Sequence, residues 1–89
     1  MEIFCANLAW ALRDEDLLRL FAPFGEVLSA RIATDRQTGQ SKGFGFVEMA
    51  DPNAAILAIE SLNCYPVHGR EIVVRESVPR EERAMAGHR

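Results

Sequence analysis

The stretch KGFGFVEM, Lys42 to Met49, holds two phenylalanines one residue apart, each preceded by a glycine. In a strand, alternate side chains fall on opposite faces. Lys42, Phe44, Phe46 and Glu48 then share one face, and Gly43, Gly45, Val47 and Met49 share the other. A half-buried strand normally hides its aromatics and shows its charges. Here the rings accompany the charges. Leaving one phenylalanine unburied forgoes about 1.5–3 kcal/mol, and two neighbouring exposed rings invite association. A strand built this way implies that something other than the protein's own core covers the rings.

The elements around this stretch decide which face is which. EIFCANL (Glu2 to Leu8) alternates like a strand, with Ile3 and Cys5 inward and Phe4 and Ala6 outward. DEDLLRLFAPF (Asp14 to Phe24) carries Leu17, Leu20, Phe21 and Phe24 at helical spacing, with acidic residues at the positive end of the helix dipole. VLSARIAT (Val27 to Thr34) reads as a second strand and DRQTGQS (Asp35 to Ser41) as a polar loop. DPNAAILAIESL (Asp51 to Leu62) opens with an aspartate cap and a first-turn proline. NCYPVHG (Asn63 to Gly69) reads as a loop and REIVVRE (Arg70 to Glu76) as the last strand. The order β-α-β-β-α-β predicts an α+β fold: a four-stranded antiparallel sheet with two helices on one face and the other face open. Gly43 and Gly45 are expected beneath the helices, and Phe4, Phe44 and Phe46 on the open side.

Composition bounds the alternatives. The chain has 89 residues, 48% apolar and 26% charged, which suits one small domain with a modest core. Residues 1–78 are read as that domain and residues 79–89 as a charged, flexible tail. No apolar run reaches membrane-spanning length, and the N-terminus has no secretion-signal pattern. The start at Met1, one residue before the first strand, suits a complete small protein. Cys5 and Cys64 belong to no CxxC pair, so a reduced chain with one buried and one partly exposed thiol is expected, without metal or other cofactor. The net charge of −3 counts against a globally basic nucleic-acid binder.

Taken together, these segments resemble the RNA recognition motif family. KGFGFVEM is similar to its eight-residue RNP1 pattern and IFCANL to its six-residue RNP2 pattern, and NLAWAL, FGEV and LNCYPVHGREIVV follow in the family's order. The resemblance covers residues 2 to about 78. It is strongest to small single-domain proteins of bacteria, cyanobacteria included, and to plant glycine-rich RNA-binding proteins. It implies a ferredoxin-like sandwich with strand order fourth–first–third–second. It implies binding of single-stranded RNA, with single-stranded DNA weaker, and a role in RNA metabolism or chaperoning, in the cytoplasm or, in a eukaryote, the nucleus. Carried over by position, Phe4 and Phe46 stack successive bases, Phe44 packs between sugars, Lys42 meets phosphate, and the strand end from Arg75 to Ser77 contacts a base. Some positions depart from the pattern. Met49 replaces the last RNP1 aromatic on the core side. Arg13 stands at the usual helix cap, with Asp14 expected to cap one residue later. Cys64 replaces a glycine after Asn63, and Asn63 is expected to take the left-handed conformation.

The charges divide by location. Asp14, Glu15, Asp16, Asp51 and Glu60 fall on the helices, whereas Arg31, Lys42 and Arg75 surround the rings. Glu2 and Glu48 share the ring face and weaken its field, so stacking should dominate, with about two to four phosphates neutralised. Arg31 and Arg75 equally suit pairing with Glu48, Glu2 or Glu76. Burial of the rings under the tail or a second chain is the lesser reading, and it keeps a protein–protein interaction module as the alternative. An enzyme of the same architecture, an acyl phosphate hydrolase, needs a phosphate-binding arginine where NLAWAL is apolar, and ranks last. Trp10 is expected to pack at the sheet edge. Ile56 and Leu57 are expected to widen the core stripe of the second helix, leaving a monomer with at most weak self-association.

Overall fold

The computed structural model describes residues 1–77. Along the chain run β1 (Glu2–Ala6), α1 (Asp14–Phe21), β2 (Val27–Thr34), β3 (Ser41–Met49), α2 (Pro52–Leu62), β4 (Pro66–Val67), β5 (Arg70–Glu71) and β6 (Val73–Glu76). A 3-10 turn over Ala22–Phe24, carrying Pro23, closes α1 and shortens the helix expected there. Four strands form one antiparallel sheet in the order β2-β3-β1-β6, the order the family resemblance implies. The fold is a ferredoxin-like α+β sandwich. The expected tail, residues 79–89, lies outside the described residues.

One face of the sheet carries the core. Ile3, Cys5, Val47, Met49 and Val74 from the strands join Leu17, Phe21, Ala55, Ala58 and Leu62 from the helices in one buried cluster. Met49 is fully buried, so the thioether fills a packing position there. The Cys5 thiol, buried in the same layer, is pushed by desolvation from its ordinary 9.0 up to about 12 and stays protonated. Cys64 is exposed, and both cysteines are free.

Several of the polar contacts at the helix ends differ from those the sequence suggested. Arg13, not Asp14, is the N-cap of α1, and Asp16 Oδ2 accepts the Arg13 N–H at 2.9 Å. Asp14 is taken up elsewhere: its Oδ1 accepts the Ile32 N–H at 2.9 Å, satisfying a donor on the outer edge of β2. The cap of α2 is Asp51, whose carboxylate accepts the Asn53 N–H. After α2 the left-handed residue is Cys64 (φ 68°), while Asn63 stays extended. The Asn63 side chain is recruited instead to accept the Val74 N–H at 3.0 Å, fastening the helix end to β6.

The last third of the chain is more divided than its sequence suggests. Residues 63–69 are not all loop, because β4 and β5 form a small hairpin with Val67 opposite Arg70. His68 and Gly69 both have positive φ, the geometry of a two-residue hairpin turn. The expected strand over residues 70–76 breaks at Ile72, which is buried and exchanges hydrogen bonds with Cys64 and Tyr65. Ile56 and Leu57 do not widen the core stripe. Both are exposed on the outer side of α2.

Candidate nucleic-acid interface

The face of the sheet away from the helices carries Phe4, Phe44 and Phe46. Their ring centroids lie 5.5 Å (Phe4–Phe46), 6.0 Å (Phe4–Phe44) and 6.3 Å (Phe44–Phe46) apart. None belongs to the buried cluster. Phe46 is 37% exposed and the other two are half-buried. The rings are tilted or edge-on rather than stacked flat, an arrangement that aromatic quadrupoles favour.

Strand pairing explains how residues so far apart in sequence meet. Across the sheet Arg31 faces Phe46, Phe46 faces Phe4, and Phe4 faces Arg75. The four strands therefore present one row, cation–ring–ring–cation, spanning about 14 Å at the usual strand spacing. Both arginines are exposed. Among the described residues neither has a carboxylate within 4.0 Å, and the ion pair there is Arg19–Asp16 on α1. The cross-strand pairing that the sequence left open for Arg31 and Arg75 is not formed among those residues.

The next row is acidic. Glu48 faces Glu2 across β3 and β1, with Ser29 beyond on β2. Two like charges directly opposite are unfavourable, and they lower the positive potential on one side of the rings. Ala6 follows Phe4 on the same face and contributes only a methyl group. Ser77 is only 6% exposed and its N–H donates to the Glu2 carbonyl at 2.9 Å. The structure thus gives this residue to the extension of β6, not to an exposed strand end.

At the opposite end of the rings β3 begins irregularly. Ile32 pairs with Gly45 but Thr34 with Ser41, so Lys42, Gly43 and Phe44 form a bulge against β2. Gly43 takes φ 83°, its N–H donates to Ser41 Oγ at 3.0 Å and its carbonyl accepts the Leu8 N–H at 2.9 Å. Lys42 is exposed on this bulge. The glycines are therefore not spacers for the helices. A Cβ on Gly45 would strike the Arg31 carbonyl oxygen and lie 3.0 Å from the Ile32 Cα, so it is the backbone of β2 that excludes a side chain there.

Trp10 is the aromatic residue whose role the sequence misplaced. It is 72% exposed in the β1–α1 loop rather than packed down. The signal was present in NLAWAL, where a tryptophan stands in a loop without the periodicity that would bury it.

The described residues form no helix long and apolar enough to cross a membrane, and they contain no cluster of metal-ligating side chains. Comparison with known proteins agrees with the geometry. The family model described as the RNA recognition motif matches residues 3–73. The chain is 47% identical over 77 residues to glycine-rich RNA-binding protein 8 of Arabidopsis thaliana, covering 86% of this chain and 46% of the relative. It thus spans about half the length of the plant relatives it matches. It is 39% identical over 87 residues to the putative RNA-binding protein RbpA of a Nostoc species, covering 98% of this chain and 85% of that one. The crystal structure of RNA-binding protein PG1 superposes with a TM-score of 0.86 at 49% identity, covering 90% of this chain and 96% of that chain. With ring positions, strand order and sequence all in agreement, the chain belongs to the RNA recognition motif family.

Proposed function

We propose that the chain is a non-catalytic module that binds single-stranded RNA on the open face of its sheet. The observation that carries this reading is the row Arg31–Phe46–Phe4–Arg75, two rings flanked by two cations with no carboxylate partner among the described residues. Bases present π-faces to rings and phosphates present charge to arginines. Stacking is worth about 1–3 kcal/mol per base on such a platform. Phe4 and Phe46 each hold one base, and Phe44, set edge-on to Phe46, packs against the sugars between them. Arg31, Arg75 and Lys42 meet the backbone at both ends. Glu48 and Glu2 keep phosphate off their own row. Ala6 leaves the ring surface unobstructed. Ser77 contributes through the strand end it holds in place.

Stacking alone reads little sequence, so the affinity is modest and broadly tolerant. Single-stranded DNA binds by the same rings but more weakly, for want of contacts to the 2′-hydroxyl. The named relatives are RNA-binding proteins rather than enzymes, which supports a binding role. Two free thiols suit a reducing intracellular compartment. The tail, residues 79–89, mixes acidic and basic residues and adds little affinity on this reading.

The test is the double substitution Phe4→Ala with Phe46→Ala. Because neither ring belongs to the core, the variant should keep its fold by circular dichroism. It should lose at least about thirtyfold in affinity for a short single-stranded RNA, two stacking contributions together. Unchanged binding by the folded variant contradicts the reading, and would favour a protein ligand for the same face.

A further inference from the structure

Among the described residues, the most exposed large apolar side chain lies off the ring platform. Trp10, 72% exposed, lines a cleft of about 540 Å³ together with Leu12, Arg13, Ile32, Thr34 and Gln40. One wall is the β1–α1 loop and the start of α1, and the other is the end of the β2–β3 hairpin. Its volume falls in the range of ordinary small-ligand sites. An indole left this open is a large stacking surface with nothing from the described chain upon it.

The cleft adjoins the platform. Ser41, which also lines it, is the first residue of β3. The Leu8 N–H donates to the Gly43 carbonyl at 2.9 Å, which holds the β1–α1 loop against the beginning of that strand. Ser41 and Phe44 are three residues apart, at most about 10 Å even if fully extended, with exposed Lys42 on the bulge between them. Arg13 adds a cation with no carboxylate within 4.0 Å among the described residues. The Asp14 carboxylate on the same wall accepts the Ile32 N–H. Glu15 puts a carboxylate on the rim, so the flat surface of Trp10, more than charge, is what the cleft offers.

We propose that Trp10 is an additional stacking position, one that takes the base of a nucleotide leaving the platform past Phe44 and Lys42. This rests on the RNA-binding reading above and extends it from the open face around the end of the sheet. The bound strand is then longer than the platform alone requires, and its affinity depends on length.

Trp10 is the chain's single tryptophan, so its emission reports the cleft directly. The whole chain is titrated with a single-stranded RNA trimer and an octamer of mixed sequence. The octamer should quench Trp10 emission and the trimer should not. Trp10→Ala should weaken octamer binding about tenfold and leave the trimer unchanged, while Trp10→Phe should restore most of the difference. Because the indole is exposed, both variants should melt like the parent. An octamer that binds without changing Trp10 emission, and equally well to Trp10→Ala, overturns the Trp10 position alone. Quenching that survives Phe4→Ala with Phe46→Ala overturns the single continuous track. Failure of both oligonucleotides to bind the parent chain overturns the RNA-binding reading and this extension with it.

Discussion

Gly45 shows how a single residue sets the platform. A strand glycine costs stability relative to alanine in most places. Here the backbone of β2 passes so close that any Cβ collides with the Arg31 carbonyl and crowds the Ile32 Cα. Backbone cannot move aside as a flexible side chain can. Gly45→Ala should therefore destabilise the fold by about 1–3 kcal/mol, read as a lower urea midpoint. It should also displace Phe44 and Phe46, its two neighbours. An unchanged midpoint would show that β2 yields at this point. Cys64 is the opposite case, a side chain tolerated where glycine is favoured. It holds φ 68° after α2, and the chain accepts that cost because its N–H bonds to Ile72 at 2.7 Å.

Elements differ in how plainly their sequences declare them. The inward and outward phases of β1 and β3 were legible because alternation is a local property of consecutive residues. Phe4, Phe44 and Phe46 were assigned to the open side on that basis, and they lie there. The reason for the glycines was not legible, because it depends on where a neighbouring strand runs. Register slips are equally silent. In β2, Val27 pairs with Met49 and Ser29 with Glu48, so a bulge at Leu28 resets the phase and returns Ala30 and Ile32 to the inner side. The β4–β5 hairpin did have a local signal in VHGR, with glycine at the second turn position, but two-residue strands are too short to show alternation. The Asp51 cap of α2 was legible, but the cap of α1 was misassigned because several carboxylates compete for nearby donors. Asp14 shows the result: its contact with the Ile32 N–H joins α1 to an edge strand. Asp14→Ala should leave that donor without its partner and cost about 1–2 kcal/mol in denaturant unfolding. No measurable loss would mean that water replaces the carboxylate.

For the whole molecule, a chain of net charge −3 that is to hold an anionic strand must do so by placing its charges. Distribution matters more than the total, since local potential steers a ligand. Arg31 and Arg75 close the two ends of the aromatic row, and Lys42 stands beyond Phe44. Acidic Asp14, Glu15 and Asp16 are on the first turn of α1. The face is nevertheless compromised by Glu2 opposite Glu48. With about two to four phosphates neutralised, log affinity against log salt should slope by about −1.5 to −3, as expected for single strands. Glu48→Gln should raise affinity severalfold at low salt, and should slightly stabilise the fold by removing a like-charge cross-strand pair. A steep slope would mean that charge rather than stacking dominates, and weaker binding by Glu48→Gln would mean that the carboxylate makes a favourable contact with the bound strand.

All of these expectations depend on bases lying on three rings from two adjacent strands. Backbone and side-chain NMR of the full chain during titration with a short single-stranded RNA tests that most directly. The largest shifts should fall on Phe4, Phe44, Phe46 and their strand neighbours Arg31 and Arg75, while the outer surfaces of α1 and α2 stay unmoved. Shifts concentrated on the helices, with the rings of the open face unperturbed at saturation, would contradict it.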